Sequence, residues 1–273
     1  MENKEKIYVV THKPFKLGAQ LINKGYDLIT VGNNKEALKN EGVFDSEGEN
    51  ISSKNPNYCE LTAVYWIWKN TNSEIKGFCH YRRYFTAPTI RFNQDKVLTI
   101  DDFSRELNAS KTPSIILPER KYYNKTSENL YLECGYKKDL DITRDVIQEK
   151  YPEYLNEYDS MLKNNTGYIT NMMVAKKEIF DEYCSWLFDI LFEVEKRTDI
   201  SNYTTAEARI YGYISERLVD VWVSHNNIKC IEYQSINAEN KSVLKYTLYR
   251  LSRKLKIYKA IKNVMFNINK KEV

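Results

Sequence analysis

The stretch whose reading decides the fold is Ile75-Lys-Gly-Phe-Cys-His-Tyr-Arg-Arg-Tyr-Phe85. It begins apolar, as a buried strand does. Within a few residues it becomes His80, Arg82 and Arg83 interleaved with Tyr81, Tyr84 and Phe85. Two arginines and a histidine among aromatics make a poor core and a good anion clamp, because a guanidinium grips a phosphate with two parallel hydrogen bonds. In open α/β sheets ligands bind where strands end. The reading is a strand end that holds the diphosphate of an activated sugar.

Upstream, Lys6–Thr11 is a short β-rich run that ends in Thr11-His12-Lys13-Pro14, and Asp27–Gly32 is a second. Strand, loop, short helix and strand in so few residues predict a βαβ start and a parallel sheet. The first strand is not followed by GxGxxG or a P-loop, so neither a dinucleotide site nor a P-loop phosphate cradle is supported. Residues 33–57 are polar and read as a loop. Asn57–Asn70 reads as a helix with Leu61, Val64, Tyr65 and Trp68 on one face. Asn57 can cap it with Glu60 three residues on. Glu60 therefore has two readings, a cap or a contact to the donor that also orients Arg82 or Arg83. Trp66 and Trp68 read as core.

Downstream, Thr99–Leu107 is a capped amphipathic helix and Ser114–Pro118 a buried strand. Residues 119–138 are polar, Tyr-rich and fit a loop over the site. Asp139–Tyr151 and Glu153–Lys163 read as helices. Gly167–Val174 reads as a strand, and its buried Asn171 needs partners: a structural hydrogen bond or a sugar hydroxyl. Ala175–Arg197 is one long helix that buries Phe180, Tyr183, Cys184, Leu187, Phe188 and Leu191. Tyr203–Trp222 is another, capped by Thr204 or Thr205 and carrying Glu207, Arg209, Glu216 and Arg217. Arg209 and Glu216, seven apart, share a face that either lines the cleft or is solvated. Lys229–Gln234 reads as a last edge strand.

The chain has 273 residues, 42% of them apolar, enough for one large domain with a core. Its 22 tyrosines suit surfaces that stack on flat or sugar-like ligands. Five cysteines, widely spaced and without CxxC, argue against a disulfide scaffold or a zinc site and for a reducing compartment. No apolar signal region and no membrane-spanning run is seen. The formal charge of +4 is unevenly spread. Ten basic residues and one acid after Asn240 give that tail +9 and leave −5 for the rest. The division is a domain over 1–240 and a basic tail over 241–273. Leu244, Leu248, Leu251, Leu255, Tyr258 and Met265 recur at near-helical intervals, so the tail reads as an amphipathic helix on an anionic membrane surface. The alternative is a helix packed on the body. A mildly acidic body argues against nucleic acid as partner.

Asn57-x-x-Glu-Leu-Thr-Ala-x-Tyr-Trp-Ile-Trp-Lys-Asn70, Gly77–Phe85, Asn171-Met and Arg209-x-x-Gly-x-x-x-Glu-Arg-Leu218 resemble a bacterial family once described only as a domain of unknown function, DUF4422. The resemblance covers about residues 5–235, and its His-Tyr-Arg-Arg-Tyr-Phe block is specific. It implies a GT-A-like α/β fold: a mixed, mostly parallel sheet flanked by helices. It also implies a glycosyltransferase of capsule, O-antigen or exopolysaccharide synthesis. The donor would be a nucleotide-sugar, UDP-linked, and some members resemble galactofuranosyltransferases. The acceptor would be a glycan or lipid-linked, at the cytoplasmic face of the plasma membrane. Thr11, His12 and Lys13 would meet the uridine, and His80, Arg82 and Arg83 the diphosphate. Glu60, Asn171, Arg209 and Glu216 would line the donor and acceptor sites.

Most GT-A enzymes place a metal-binding Asp-x-Asp at the strand end. Here Asp139-Leu-Asp141 follows Lys137-Lys138 and opens a helix, and Asp101-Asp102 sits in a first turn. The expectation is that guanidinium groups neutralise the leaving diphosphate, with Mg²⁺ or Mn²⁺ as the competing arrangement and no metal ligand named. Inversion needs a base; Glu216, Glu207 and Glu60 are the candidates, with Arg82 on the leaving group. The competing functions are a non-catalytic nucleotide-sugar-binding protein, a phosphate-ester hydrolase and a membrane scaffold.

Overall fold

The computed structural model describes residues 5–239, so the expectations for the 241–273 tail lie outside the described residues. The chain opens β1 (Lys6–Thr11), α1 (Ala19–Ile22), β2 (Tyr26–Thr30), β3 (Val43–Phe44), α2 (Asn55–Tyr58), α3 (Leu61–Asn70). It continues β4 (Ile75–His80), β5 (Arg83–Thr86), α4 (Ile100–Ala109), β6 (Ser114–Pro118), β7 (Lys121–Tyr122) and α5 (Ser127–Tyr131). Then come α6 (Lys137–Lys150), α7 (Leu155–Lys163), β8 (Thr166–Gly167), β9 (Met173–Lys176), α8 (Lys177–Arg197), α9 (Ile210–His225) and β10 (Lys229–Asn237).

Eight strands form one sheet in the order β3-β2-β1-β4-β5-β10-β6-β9, and β4 also pairs with β9, so five strands close into a ring. The pairs β1–β2, β1–β4, β2–β3 and β6–β10 are parallel, and the predicted βαβ start is present. The pairs β5–β10, β4–β5, β4–β9 and β6–β9 are antiparallel. The α/β class holds, but the sheet is evenly mixed, not mostly parallel. Two strands run against the rest: β5, which the Arg82 turn folds back along β4, and β9, which is antiparallel to both β4 and β6.

Strand alternation separates two cores. Ile7, Val9, Ile75, Cys79 and Ile116 face one cluster with Phe103 and Leu107 of α4. Val10, Phe78, Ile115 and Leu117 face the other, beneath α3, α8 and α9. Side chains two apart along a strand share a face, so each strand serves both layers. Lys76 is buried within β4, with its ammonium 2.6 Å from Asp181 and 3.2 Å from the Trp68 carbonyl. All six residues expected on the buried face of α8 are buried. Thr99 and Asp102 close a reciprocal cap on α4.

Three expectations are corrected. Lys229–Gln234 is not an edge strand; β10 lies between β5 and β6. Gly167–Val174 is not one strand: β8 pairs with β7 in a separate two-stranded sheet, β9 begins at Met173 in the main sheet, and Asn171 lies between them. The helix assigned from Tyr203 begins at Ile210. Before it, Thr204 and Glu207 cap one another across a single turn.

Candidate active site

β1, β2 and β4 are parallel, so their carboxyl ends converge on one edge of the sheet. A cavity of about 380 Å³ opens there, a size suited to a small ligand. Thr11 and His12 line it from β1, Val31 from β2, and His80, Tyr81, Arg82 and Arg83 from the hairpin. Asn55, Pro56, Cys59 and Glu60 also line it, as do Arg209 and Glu216 of the α9 region. A larger cavity of about 560 Å³ lies beside Phe15, Leu28 and Asn40, away from the arginines.

The hairpin is held firmly. The Tyr81 amide donates to the Val10 carbonyl at 3.0 Å, and the Ala238 amide to the Arg82 carbonyl at 2.8 Å. Lys13 stands outside the lining but adjoins it, with its ammonium 4.5 Å from the Tyr81 ring centre. The Glu239 carboxylate lies 3.6 Å from Lys13 and 3.8 Å from Arg82, on the exposed rim. Among the described residues no ion pair forms with Arg83. Burial, then the like charge of Arg82, hold the Arg83 pKa below its ordinary value, against the pull of Glu216 and Glu60. Burial also lowers His12, helped by Lys13, Arg209 and Arg82. The pocket thus concentrates positive charge that the chain leaves partly uncompensated, as an anion site requires.

His80 is kept neutral chiefly by burial, and its Nε2 is buried without a hydrogen-bond partner among the described residues. Glu60 does not cap with Asn57, whose amide donates instead to the Ala208 carbonyl at 2.8 Å. Its Oε1 accepts from Asn171 Nδ2 at 2.7 Å. Asn171 Oδ1 in turn accepts from Ser215 at 3.2 Å. Asn171 is therefore a structural hub that presents Glu60 to the cavity, with its own side chain buried behind the lining. Glu216 sits across from it. Burial first, then the Glu60 charge, push its pKa up to about 7, against Arg217, Lys121 and Arg83. A carboxyl poised there is matched to proton transfer near neutrality. Arg209 Nε reaches Cys59 Sγ at 3.0 Å, which raises the arginine's pKa.

Glu207 is not brought to the cavity. It is tied to Tyr136 at 2.7 Å and to Thr204 at 2.8 Å on an exposed turn. Asp139 is buried and committed to Tyr131 at 3.0 Å, Tyr203 at 2.5 Å and its own helix cap, and Asp141 to Lys137 at 2.7 Å. Asp102 caps α4. None of Asp101, Asp102, Asp139 and Asp141 lines the cavity. Among the described residues no cluster of three or more His, Cys, Asp or Glu has metal-binding geometry.

Two features at or beside the cavity carried no readable signal. Cys59 has φ 53 and ψ −130, a backbone region that favours glycine, and burial pushes its thiol up to about 11. Lys121, in the Tyr-rich loop, stands half-buried outside the cavity lining, and desolvation first, then Arg83, draw its pKa down to about 8. Only the loop's position over the site was expected.

No helix among the described residues is long and apolar enough to cross a membrane. No curated protein matches the sequence at a significant level. The fold is similar to the apo structure of WbbM, described as a bifunctional glycosyltransferase, with a TM-score of 0.72 and 29% identity. The match covers 87% of this chain but only 46% of that one, so the chain spans about half of the matched protein. The family model described as a domain of unknown function, DUF4422, matches residues 6–227. The chain belongs to the DUF4422 family.

Proposed function

We propose that the chain is a glycosyltransferase that moves a hexose, with galactofuranose as the leading candidate, from a UDP-linked donor to a hydroxyl of a glycan or lipid-linked acceptor. The observation that carries this reading is the cavity that gathers Arg82, Arg83 and Arg209 with Glu216 and Glu60. Likeness to a bifunctional glycosyltransferase supports the reaction class. Thr11 and His12 take the nucleoside end, and Arg82 and Arg83 take the diphosphate. As the bond from the anomeric carbon to the diphosphate oxygen breaks, charge grows on that oxygen, and prealigned guanidiniums stabilise it without reorganisation. Glu216 accepts the proton of the attacking acceptor hydroxyl, and Glu60, fixed by Asn171, orients the sugar. No step is assigned to a metal, because neither acidic pair lines the cavity.

The reading places the enzyme in surface polysaccharide assembly, with the basic 241–273 segment on an anionic membrane face. The test is a panel of UDP-, GDP-, dTDP- and CMP-sugars with the full chain, with and without EDTA, read as nucleotide release with and without acceptor. Acceptor-dependent UDP release that survives EDTA is expected. Binding without release identifies a binding protein, and inorganic phosphate as product identifies a hydrolase.

A further inference from the structure

We propose that Lys13 and Arg82 form an outer phosphate subsite of the cleft, and that the Glu239 carboxylate occupies it until the diphosphate of the donor takes its place. The inference rests on the glycosyltransferase reading for the identity of the ligand; the subsite itself is read from the geometry. Lys13 Nζ stands 4.5 Å from the centre of the Tyr81 ring and Arg82 Cζ 5.7 Å from it, so one tyrosine of the cavity lining carries both cations. A single carboxylate serves the two: Glu239 Oε1 lies 3.6 Å from Lys13 and Oε2 lies 3.8 Å from Arg82. The three residues are far apart in sequence. Lys13 follows β1, Arg82 is the turn between β4 and β5, and Glu239 follows β10. The fold therefore gathers two cations from separate elements around one anion at the mouth of the cavity.

Backbone contacts deliver the carboxylate and hold the lysine. The Ala238 amide donates to the Arg82 carbonyl at 2.8 Å, and the Glu239 amide to Asn237 Oδ1 at 2.9 Å. The Lys13 carbonyl accepts from Thr11 Oγ1 at 3.0 Å and from Asn40 Nδ2 at 3.1 Å. The charged ends are held far less tightly. Both carboxylate distances exceed those of a direct hydrogen bond, about 2.7–3.2 Å. The Lys13, Arg82 and Glu239 side chains are 44%, 42% and 53% exposed, and ion pairs so open to water hold weakly. A diphosphate brings more negative charge than one carboxylate and gives a guanidinium two parallel hydrogen bonds, so it wins the exchange. Lys13, expected at the uridine, thereby joins Arg82 on the phosphates.

The test is calorimetric titration of the full chain with UDP and with inorganic pyrophosphate. Glu239→Gln removes the competing charge from an exposed position and should tighten both probes about three- to tenfold. The control, Glu178→Gln, removes an exposed charge from the first turn of α8, where the Lys177 amide meets the Glu74 carbonyl at the far end of β4 from the cavity. It should leave both constants within about twofold of the parent. Lys13→Met should weaken binding, and by more in the Glu239→Gln background than in the parent, because there Lys13 has no carboxylate to give up. Unchanged or weaker binding in Glu239→Gln, equal tightening in Glu178→Gln, or equal costs of Lys13→Met in the two backgrounds overturns the proposal. So does a failure of both probes to bind parent and Glu239→Gln alike. Tightened pyrophosphate binding beside a donor panel without transfer would remove the glycosyltransferase reading and leave the subsite standing.

Discussion

With its pKa pushed up to about 7, Glu216 should affect stability and, as the proposed base, rate, with opposite signs. Its folded pKa lies above the ordinary glutamate value of 4.5. Between those limits the folded chain holds the proton more tightly than the unfolded one, so stability falls as pH rises through that window. Below about 4.5 the penalty is absent, and above about 7 it is complete. Glu216→Gln should therefore melt higher than the parent at pH 8, by at most about 3 kcal/mol, and equally at pH 4.5. The same variant should lose at least about 10²-fold in turnover, and parental kcat/KM should fall on the acid side of about 7. Melting curves and initial rates across pH test both halves. Arg82→Ala and Arg83→Ala should each lower kcat by roughly 10²–10³-fold with the fold intact by circular dichroism; near-parental rates would remove the leaving-group role. The arginines were legible from their neighbours in sequence. Glu216 was legible only as one of three acids, because its desolvation depends on residues from α3, β5 and β7 that no local pattern brings together.

At the scale of elements, two glycines separate close packing from ordinary contact. A Cβ on Gly77 in β4 would stand 2.7 Å from Ile7 Cδ1, 2.8 Å from Val174 Cγ2 and 3.0 Å from the Met173 carbonyl oxygen. The carbonyl belongs to the neighbouring strand and cannot move aside. Gly77→Ala should cost about 1–3 kcal/mol. A Cβ on Gly212 in α9 meets nothing nearer than 3.5 Å. Gly212→Ala should be neutral or stabilise by up to about 1 kcal/mol. Chemical denaturation of the two variants checks the contrast. Elements with local rules were readable: the buried stripe of α8 from its period and the α4 cap from Thr99 and Asp102. The break at Ile169–Asn171 was not. Its residues suit a strand, yet Thr170 turns back on the Tyr168 carbonyl at 2.7 Å and its neighbours are held by Lys121, Glu60 and Ser215, none of them near in sequence.

For the whole molecule, strand order was the least readable property. Lys229–Gln234 looks like a strand wherever it sits, and only long-range pairing puts it beside the arginine hairpin. Charge was readable from composition. Truncation after Glu239 removes a segment of +9 that follows Asn240. The shortened chain should keep nucleotide release on a soluble acceptor and lose co-sedimentation with anionic vesicles; retained sedimentation would assign membrane binding to the folded body.

The ring closed by β10 has a consequence for how the protein is made. Among the described strands β10 leaves the ribosome after the rest, so a nascent chain holds β5 and β6 with bare backbone edges until residue 237 has been made. The anion clamp is then unfinished in any partial product, because Arg82 and Arg83 get their β10 neighbours last. Release before β10 should yield aggregation-prone fragments that lack the finished cleft, and chaperone dependence of the 5–239 body should drop once β10 emerges.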